Sequence, residues 1–396
     1  RNNKQVGYSE GALPQKVAIQ GYAGMMNRTS RRKIEQLRIC MEQDVEVGAN
    51  GFADVKLVHV ALPEIAKDEI ELKTDFLGFS FNLPIMIASM TGGHPETKRI
   101  NEVLAEAAEQ LGIGMGVGSQ RAALEGTEHE DSFRVVRDVA PDSFIYANLG
   151  APQLLEYGVE GVKRVIEMID ADAVAIHLNF LQEAIQPEGN VDARGCLDAI
   201  REVCSAIKKP VIVKETGAGI SYRVARKLVD AGVAAIDVGG FGGTSLAAAE
   251  IYRAKAEGDE LSEHLGQLFG YDWGITTVES IVECSGLGIP VIATGGIRNG
   301  IDVAKSIALG ADMCSAALPF LKIAMHNLNA DRVIAKIEEM GEELKAAMFL
   351  TGCETVEDLK AAELVVTGAT REIMDQRGFL ERLRQNKNKI ERMRKG

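Results

Sequence analysis

From residue 84 onward the chain repeats one pattern. Short apolar runs rich in Val, Ile and Ala alternate with longer amphipathic stretches. The runs fall at 85–90, 113–119, 143–149, 173–179, 210–215, 234–239, 290–295 and 312–318. Runs of this length, apolar on both faces, predict strands of a parallel sheet covered by helices. The stretches near 97–111, 128–139, 159–170, 192–208, 221–231, 244–257, 275–286 and 300–309 predict those helices. Eight strand–helix repeats over roughly 250 residues predict an α/β fold, a closed (β/α)8 TIM barrel with its core at about 84–325. A doubly wound sheet is the rival. It is disfavoured because polar or glycine-rich residues end nearly every strand, not only those beside one switch point.

The flanks read differently. Residues 55–61 and 69–82 alternate like two strands, with Pro63 between them, and predict a hairpin ahead of the barrel. Residues 27–38 form a basic arm in which Thr29 or Ser30 can cap a short helix. Arg28, Arg31, Arg32, Lys33 and Arg38 make it a candidate anion-binding element. Residues 1–26 lack coherent periodicity and are expected to be a leader or disordered extension, leaving 27–396 as one domain. Beyond the barrel, 331–350 is amphipathic, and 378–395 is a strongly basic stretch expected to be a solvated helix.

Composition narrows the function classes. The 396 residues carry a net charge of −13, against a general nucleic-acid or anionic-membrane binder. No apolar run reaches the roughly 18 residues of a membrane span. The six cysteines are scattered without a paired spacing, so neither a zinc site nor a disulfide framework is indicated, and reduced thiols of a cytoplasmic protein are the expectation.

In a barrel the site lies at the carboxyl ends of the strands. Those ends read Ser89-Met90-Thr91-Gly92-Gly93, Gly118-Ser119-Gln120-Arg121 and Asn148-Leu149-Gly150, then His177-Leu178-Asn179 with Gln182-Glu183. Lys214-Glu215-Thr216-Gly217, Gly242-Gly243-Thr244, Thr294-Gly295-Gly296 and Ala316-Ala317 follow. Alternation puts His177 and Asn179 on the face of Ala173 and Ala175. It puts Lys214 in line with Ile212, facing the mouth, where an ammonium calls for an anion or a carboxylate partner. Gly295-Gly296 and Ala316-Ala317, after strands seven and eight, suit a phosphate grip through backbone N–H groups, as for FMN or a phosphorylated substrate. Glu183 is a hard oxygen donor suited to Mg2+. Glu250, six residues after Thr244, is expected to be an exposed helix residue unless it reaches back over the mouth.

Taken in order, these motifs, with Gln186-Pro187-Glu188-Gly189 and Val213-Lys214-Glu215 included, resemble the type 2 isopentenyl-diphosphate Δ-isomerases, in an archaeal style. The resemblance runs from about Ser30 to beyond Leu350. His177-Leu178-Asn179-x-x-Gln182-Glu183 is its most specific element, whereas the glycine motifs are shared with other FMN barrels. It implies an enzyme of isoprenoid biosynthesis requiring FMN and Mg2+, with NADPH reducing the flavin although the reaction has no net redox change. Protonation of the terminal alkene carbon at reduced FMN gives a tertiary cation, which loses a proton from the adjacent methylene. Arg32, Lys33, Arg121, His177 and Asn179 are then expected to bind the diphosphate, with Gln182 at the reacting carbons. Glu183 is expected to bind Mg2+, and Ser89, Met90, Thr91, Ser119, Asn148, Lys214, Thr244, Gly295, Gly296, Ala316 and Ala317 to contact FMN. Gln182 and Glu250 are the candidate catalytic pair. A homo-oligomer, tetramer or octamer, is also implied, with no nucleic-acid or membrane partner.

Two positions depart from the family's pattern. The arm's Arg-Lys-x-Glu-His motif ends here in Gln36, and a usual Trp two residues after the Gly-Gly-Thr threonine is Leu246. Gln36 is expected to weaken substrate binding rather than abolish chemistry, and Leu246 to shape the pocket wall. Two other readings stand beside the isomerase. One is an FMN-dependent 2-hydroxy-acid oxidoreductase, disfavoured because Thr294-Gly295-Gly296-Ile297-Arg298 offers no histidine base. The other is a flavin-binding homologue without isomerase activity.

Overall fold

The computed structural model describes residues 28–395, so the expected leader at 1–26 lies outside the described residues. Twelve strands occur among them: β1 (Val55–Leu57), β2 (Thr74–Phe76), β3 (Phe79–Phe81), β4 (Ile85–Ile87), β5 (Met115–Gly116), β6 (Ile145–Gly150), β7 (Ala173–Leu178), β8 (Val211–Glu215), β9 (Ala235–Asp237), β10 (Val291–Thr294), β11 (Met313–Ala316) and β12 (Leu364–Val366). Strands β4 to β11 close a parallel barrel, with β11 paired to β4. Each coincides with one of the eight expected runs, β6 extending one residue beyond its run to Gly150.

Strand alternation builds two cores. Met86, Tyr146, Ala173, Ala175, Ile212, Ala235, Ile292 and Met313 fill the barrel interior. Their neighbours Ile85, Ile87, Val174, Ile176, Val211, Val213, Ile236 and Val291 pack outward under the helices. The interior alternates bulky residues with alanines, so Tyr146 fits across from small strands.

The hairpin forms within 69–82 rather than between that segment and 55–61. Strands β2 and β3 pair across Leu77 and Gly78, both at positive φ (51° and 86°), as a tight hairpin turn requires. Its Phe76 and Phe81 meet Phe144 edge-on, with ring centroids 6.3 and 5.6 Å apart, and plug the amino-terminal end of the barrel. Chemistry is thereby confined to the opposite end. Strand β1 pairs instead with β12, antiparallel, tying the chain's two ends together.

The basic carboxyl-terminal helix, Phe379–Lys395, is docked rather than solvated all round. Leu383 is buried, Arg382 donates to the Ser285 carbonyl at 2.6 Å, and Lys387 donates to that of Ala362 at 2.6 Å. The helix thus uses cations to satisfy carbonyls that loops and helix ends leave open. None of the helices among the described residues is long and apolar enough to cross a membrane.

The arm is a longer helix than expected, Arg28–Glu42, and lies against the helix Leu246–Glu257. It buries Ile34, Leu37 and Cys40. After it, Val47 N–H donates to the Gly243 carbonyl (3.0 Å) and Ser245 N–H to that of Val45 (2.8 Å). These bonds stitch the arm to the loop after β9, beside the barrel mouth.

Candidate active site

Two adjoining cavities open at the carboxyl ends of the strands. The first is lined by Ser89, Met90, Lys214, Gly239, Gly240, Thr244, Thr294, Gly295, Gly296, Ala316 and Ala317, among others. The second is lined by Arg32, Lys33, Gln36, Ser119, Arg121, Asn148, Gln153, His177, Asn179, Gln182 and Glu183. Ser89, Met90, Lys214, Thr216 and Leu246 belong to both. Of the residues expected at the site, only Thr91 and Glu250 are absent from both linings.

The first cavity owes its shape to backbone turns. Gly295 and Gly296 sit at φ 118° and 69°. A Cβ on Gly295 would stand 2.3 Å from the Gly240 carbonyl oxygen, and one on Gly296 2.3 Å from that of Gly242. Only glycine allows this turn. The Gly295 carbonyl is held by the Thr277 hydroxyl (2.8 Å) and that of Gly296 by Asn50 Nδ2 (3.0 Å). The hydroxyls of Ser89 and Thr294, buried in the lining, interact with Tyr146 and Asp237 but lie outside good hydrogen-bond geometry. Buried hydroxyls are ordinarily paired in good geometry, so a polar ligand fits here.

Lys214 stands in the wall between the cavities. It is 7 % exposed and its Nζ donates to the Glu215 carbonyl at 2.8 Å. Across the sheet its register partner is Asp237, 1 % exposed. Burial pushes the Asp237 carboxyl above the usual carboxylate range, and the Lys214 charge opposes that rise. The sequence reading missed Asp237. Its signal was the alternation that places it in line with Ala235, inside the barrel.

Glu215 faces outward and organises the next loop. One carboxylate oxygen accepts the N–H groups of Thr216 (2.6 Å), Gly217 (2.8 Å) and Ala218 (2.5 Å). Burial nonetheless raises its pKa, these three bonds acting against it.

The second cavity is cationic and strongly tied. Lys33 Nζ donates to the carbonyls of Gly92 (2.8 Å) and Ser119 and lies 5.0 Å from the Phe133 ring centroid. Arg32 reaches Gln186 Oε1 at 3.1 Å, and Arg121 pairs with Glu125 at 2.7 Å. Burial, reinforced by Arg32, lowers the Lys33 pKa to about 7. His177 Nδ1 meets Asn148 Oδ1 at 2.8 Å, while Asn148 Nδ2 donates to the Val117 carbonyl at 3.1 Å. That orientation puts the ring proton on Nδ1 and leaves Nε2 as an acceptor. Burial first, then Lys214, Lys33 and Arg32, lowers the His177 pKa to about 3.

Glu250 is not an exposed helix residue. It is 2 % exposed and stands behind Gln182. Its Oε1 accepts from Gln182 Nε2 (2.6 Å) and Gln36 Nε2 (3.0 Å), and its Oε2 from Arg253 Nη1 (2.7 Å). Arg253 also pairs with Glu188. Gln36 is therefore committed to the Glu250 carboxylate, one amide away from the reacting region, as well as lining the cavity. Thr91 turns inward: its carbonyl accepts from Gly118 N–H at 2.8 Å. The sequence reading gave no role to Thr216, Gln186 or Arg253.

Glu183 Oε2 accepts from Asn190 N–H at 2.6 Å. Among the described residues no group of three or more His, Cys, Asp or Glu side chains is placed to hold a metal ion. A divalent cation at Glu183 would complete its shell with substrate oxygens and water, as Mg2+ commonly does.

Comparison with known proteins settles the family. Isopentenyl-diphosphate delta-isomerase of Methanosarcina mazei is 60 % identical over 357 residues, 90 % of this chain and 97 % of that protein. The namesake from Archaeoglobus fulgidus is 56 % identical over 350 residues, 88 % of this chain and 99 % of the other. The chain belongs to the isopentenyl-diphosphate delta-isomerase family. Residues 175–366 of this isomerase-family chain also match the FMN-dependent dehydrogenase family. The fold is shared with a solved lactate oxidase of Pediococcus acidilactici (TM-score 0.60, 18 % identity, 86 % of this chain and 93 % of that one). It is shared too with a flavocytochrome b2 variant (TM-score 0.62, 17 % identity, 86 % and 84 %). At that identity these two structures show the shared fold alone.

Proposed function

We propose that this chain interconverts isopentenyl and dimethylallyl diphosphate, with FMN in the first cavity and the diphosphate in the second. One observation carries the reading: a cavity walled by Arg32, Lys33, Arg121 and His177 ends at the Gln182–Glu250 pair and shares Lys214 with a glycine-turned cavity. The 2-hydroxy-acid oxidoreductase reading is disfavoured because loop 294–298 of this chain has no histidine to serve as base.

FMN, reduced by NADPH and bound here, supplies an electron-rich acid–base ring beside the alkene. Ser89, Thr294 and the turns at Gly295 and Ala316 would hold its polar groups, with Lys214 against the ring. The residues do the rest. An alkene is a weak base, so protonating it requires a dry, oriented site. Arg32 and Lys33, on the arm helix, bind the diphosphate and cover the mouth together. Gln182 presents an uncharged amide to the reacting carbons, and Glu250 behind it places negative charge toward the developing cation. The deciding assay is proton NMR of isopentenyl diphosphate with Mg2+ and anaerobically reduced FMN. Dimethylallyl diphosphate is the expected product, and its absence refutes the proposal.

Glu183→Gln is expected to lose Mg2+ dependence and about a hundredfold in rate, of the order that mutating a metal's supporting groups costs. Flavin content is expected to match the parent. A variant still stimulated by Mg2+ would remove Glu183 from the metal's shell.

Diphosphate binding is expected to take up protons. Burial and nearby cations disfavour the charged forms of Lys33 and His177, so at pH 8 both are largely neutral in the free site. A polyanion reverses that balance and raises both pKa values. Calorimetric titration with inorganic diphosphate at pH 8, in buffers of different ionisation enthalpy, is expected to show uptake of about one proton per site. Zero uptake or net release would contradict the assignment of these two groups.

A further inference from the structure

Gln182 belongs to a longer chain of hydrogen bonds whose polarity can be read from one end. Glu250 pairs with Arg253 at 2.7 Å and accepts from two amides, so it stands as a carboxylate. Gln182 must then turn Nε2 toward it, at 2.6 Å, and Oε1 away. Asn179 Nδ2 fills that Oε1 at 2.7 Å. This leaves Asn179 Oδ1 in need of a donor, and Thr216 Oγ1 stands 2.7 Å from it. The hydroxyl's other neighbour, the Leu178 carbonyl, is at 3.5 Å, too far to compete. Thr216 is itself immobilised. Its N–H, with those of the next two residues, is held by the buried Glu215 carboxylate. It also lines both cavities, at the seam where the reacting carbons would lie.

We propose that Thr216 is a positioning residue for the isomerisation: its hydroxyl is the terminal donor that fixes the amides of Asn179 and Gln182 against Glu250. An amide has two nearly isosteric ends, and packing alone does not choose between them. Without the hydroxyl, Asn179 Oδ1 is an unsatisfied acceptor, and the two amides are free to rotate away from the alignment that points Gln182 at Glu250. Misalignment of this kind costs rate more than binding: Asn179, one of the expected diphosphate groups, has its amide committed at both ends within the chain, and the other grips (Arg32, Lys33, Arg121, His177) lie outside it.

This inference rests on the isomerase reading, so the parent protein is assayed first; a parent that makes no dimethylallyl diphosphate refutes that reading and leaves the hydrogen-bond chain to be tested by structure. With an active parent, Thr216→Val is expected to lower kcat about tenfold while KM stays within about twofold. Thr216→Ser restores the hydroxyl and is expected to recover kcat to within about threefold of the parent. Thr216→Ala, checked for flavin content and melting temperature, replaces the valine variant if that one does not fold. A double-mutant cycle supplies the readout that a purely structural role would not move: once Gln182→Ala has removed the middle of the chain, Thr216→Val is expected to cost less than about twofold more. The proposal is overturned if Thr216→Val keeps parental kcat, if serine fails to rescue, or if the two losses multiply in full.

Discussion

Replacing Lys214 by Met is expected to yield a folded protein that purifies without flavin and isomerises nothing measurable. Met keeps the length and apolar stem of lysine, so the barrel interior above Ile212 stays filled. What disappears is the cation in the wall common to both cavities. Among the described residues Lys214 makes one hydrogen bond, to a backbone carbonyl, and its register partner Asp237 is a buried acid. An ammonium held in that position favours an anionic ligand in front of it, and removing it also takes away the charge that opposes the rise of the Asp237 pKa.

The loss at the flavin site is expected to exceed a hundredfold in FMN affinity. That corresponds to about 2.7 kcal/mol, within the range for losing one partner of a buried charge interaction at a binding interface. Flavin fluorescence titration of the apoprotein measures it directly, and circular dichroism verifies the fold. A Lys214→Met protein that keeps stoichiometric yellow flavin would show that the glycine turns and hydroxyls hold the cofactor alone. Lys214→Arg is a useful contrast. It keeps the charge but presents a wider, planar head, so it is expected to retain flavin weakly and with an altered absorption band.

The barrel could be read from sequence because its physics is periodic. Eight apolar runs of strand length, each followed by a helix with one apolar face, admit few topologies. The facing of His177, Asn179 and Lys214 followed from strand alternation, and the structure places all three at the mouth. What failed was information carried by contacts between distant segments. Residues 55–57 alternate like half a hairpin, but their partner is β12, more than 300 positions away. The basic helix at 379–395 looked solvated because charge pattern does not reveal which carbonyls a lysine will meet. Glu250 looked exposed because a helical glutamate is ordinarily solvated unless it is paired. Burial came from the arm helix laid over it, with Gln36 reaching down to the carboxylate.

The same contacts change the meaning of Gln36. Read alone, it replaces a titratable group beside a diphosphate. In the structure it donates to Glu250, next to Gln182. A neutral amide there does not titrate, whereas a histidine would add a titration of its own. The arm helix therefore links two tasks: Arg32 and Lys33 wall the second cavity, and Gln36 braces the acid behind Gln182.

That bracing leads to the second large effect. Glu250→Gln is expected to lower kcat by about a hundredfold to a thousandfold with KM nearly unchanged, of the order lost when one preorganised electrostatic group is removed. The fold should survive, because Arg253 retains Glu188 as a close partner, with Glu257 at 3.7 Å and Glu35 at 4.0 Å. Two things are lost together. A neutral amide no longer places negative charge toward the carbon that becomes cationic. It also brings an N–H pair of its own, so it cannot accept from Gln182 and Gln36 at one end and from Arg253 at the other as a carboxylate does. Glu250→Asp separates the two causes. It keeps the charge but withdraws it by one methylene, beyond the 2.6 Å contact with Gln182. If charge dominates, the aspartate variant outperforms the glutamine variant by at least about tenfold, since Coulomb attraction falls slowly with distance in a buried site. If orientation of Gln182 dominates, the two variants are equally slow. Steady-state kinetics of both, with flavin content matched, distinguishes these outcomes, and a glutamine variant within about threefold of the parent would remove Glu250 from the reaction altogether.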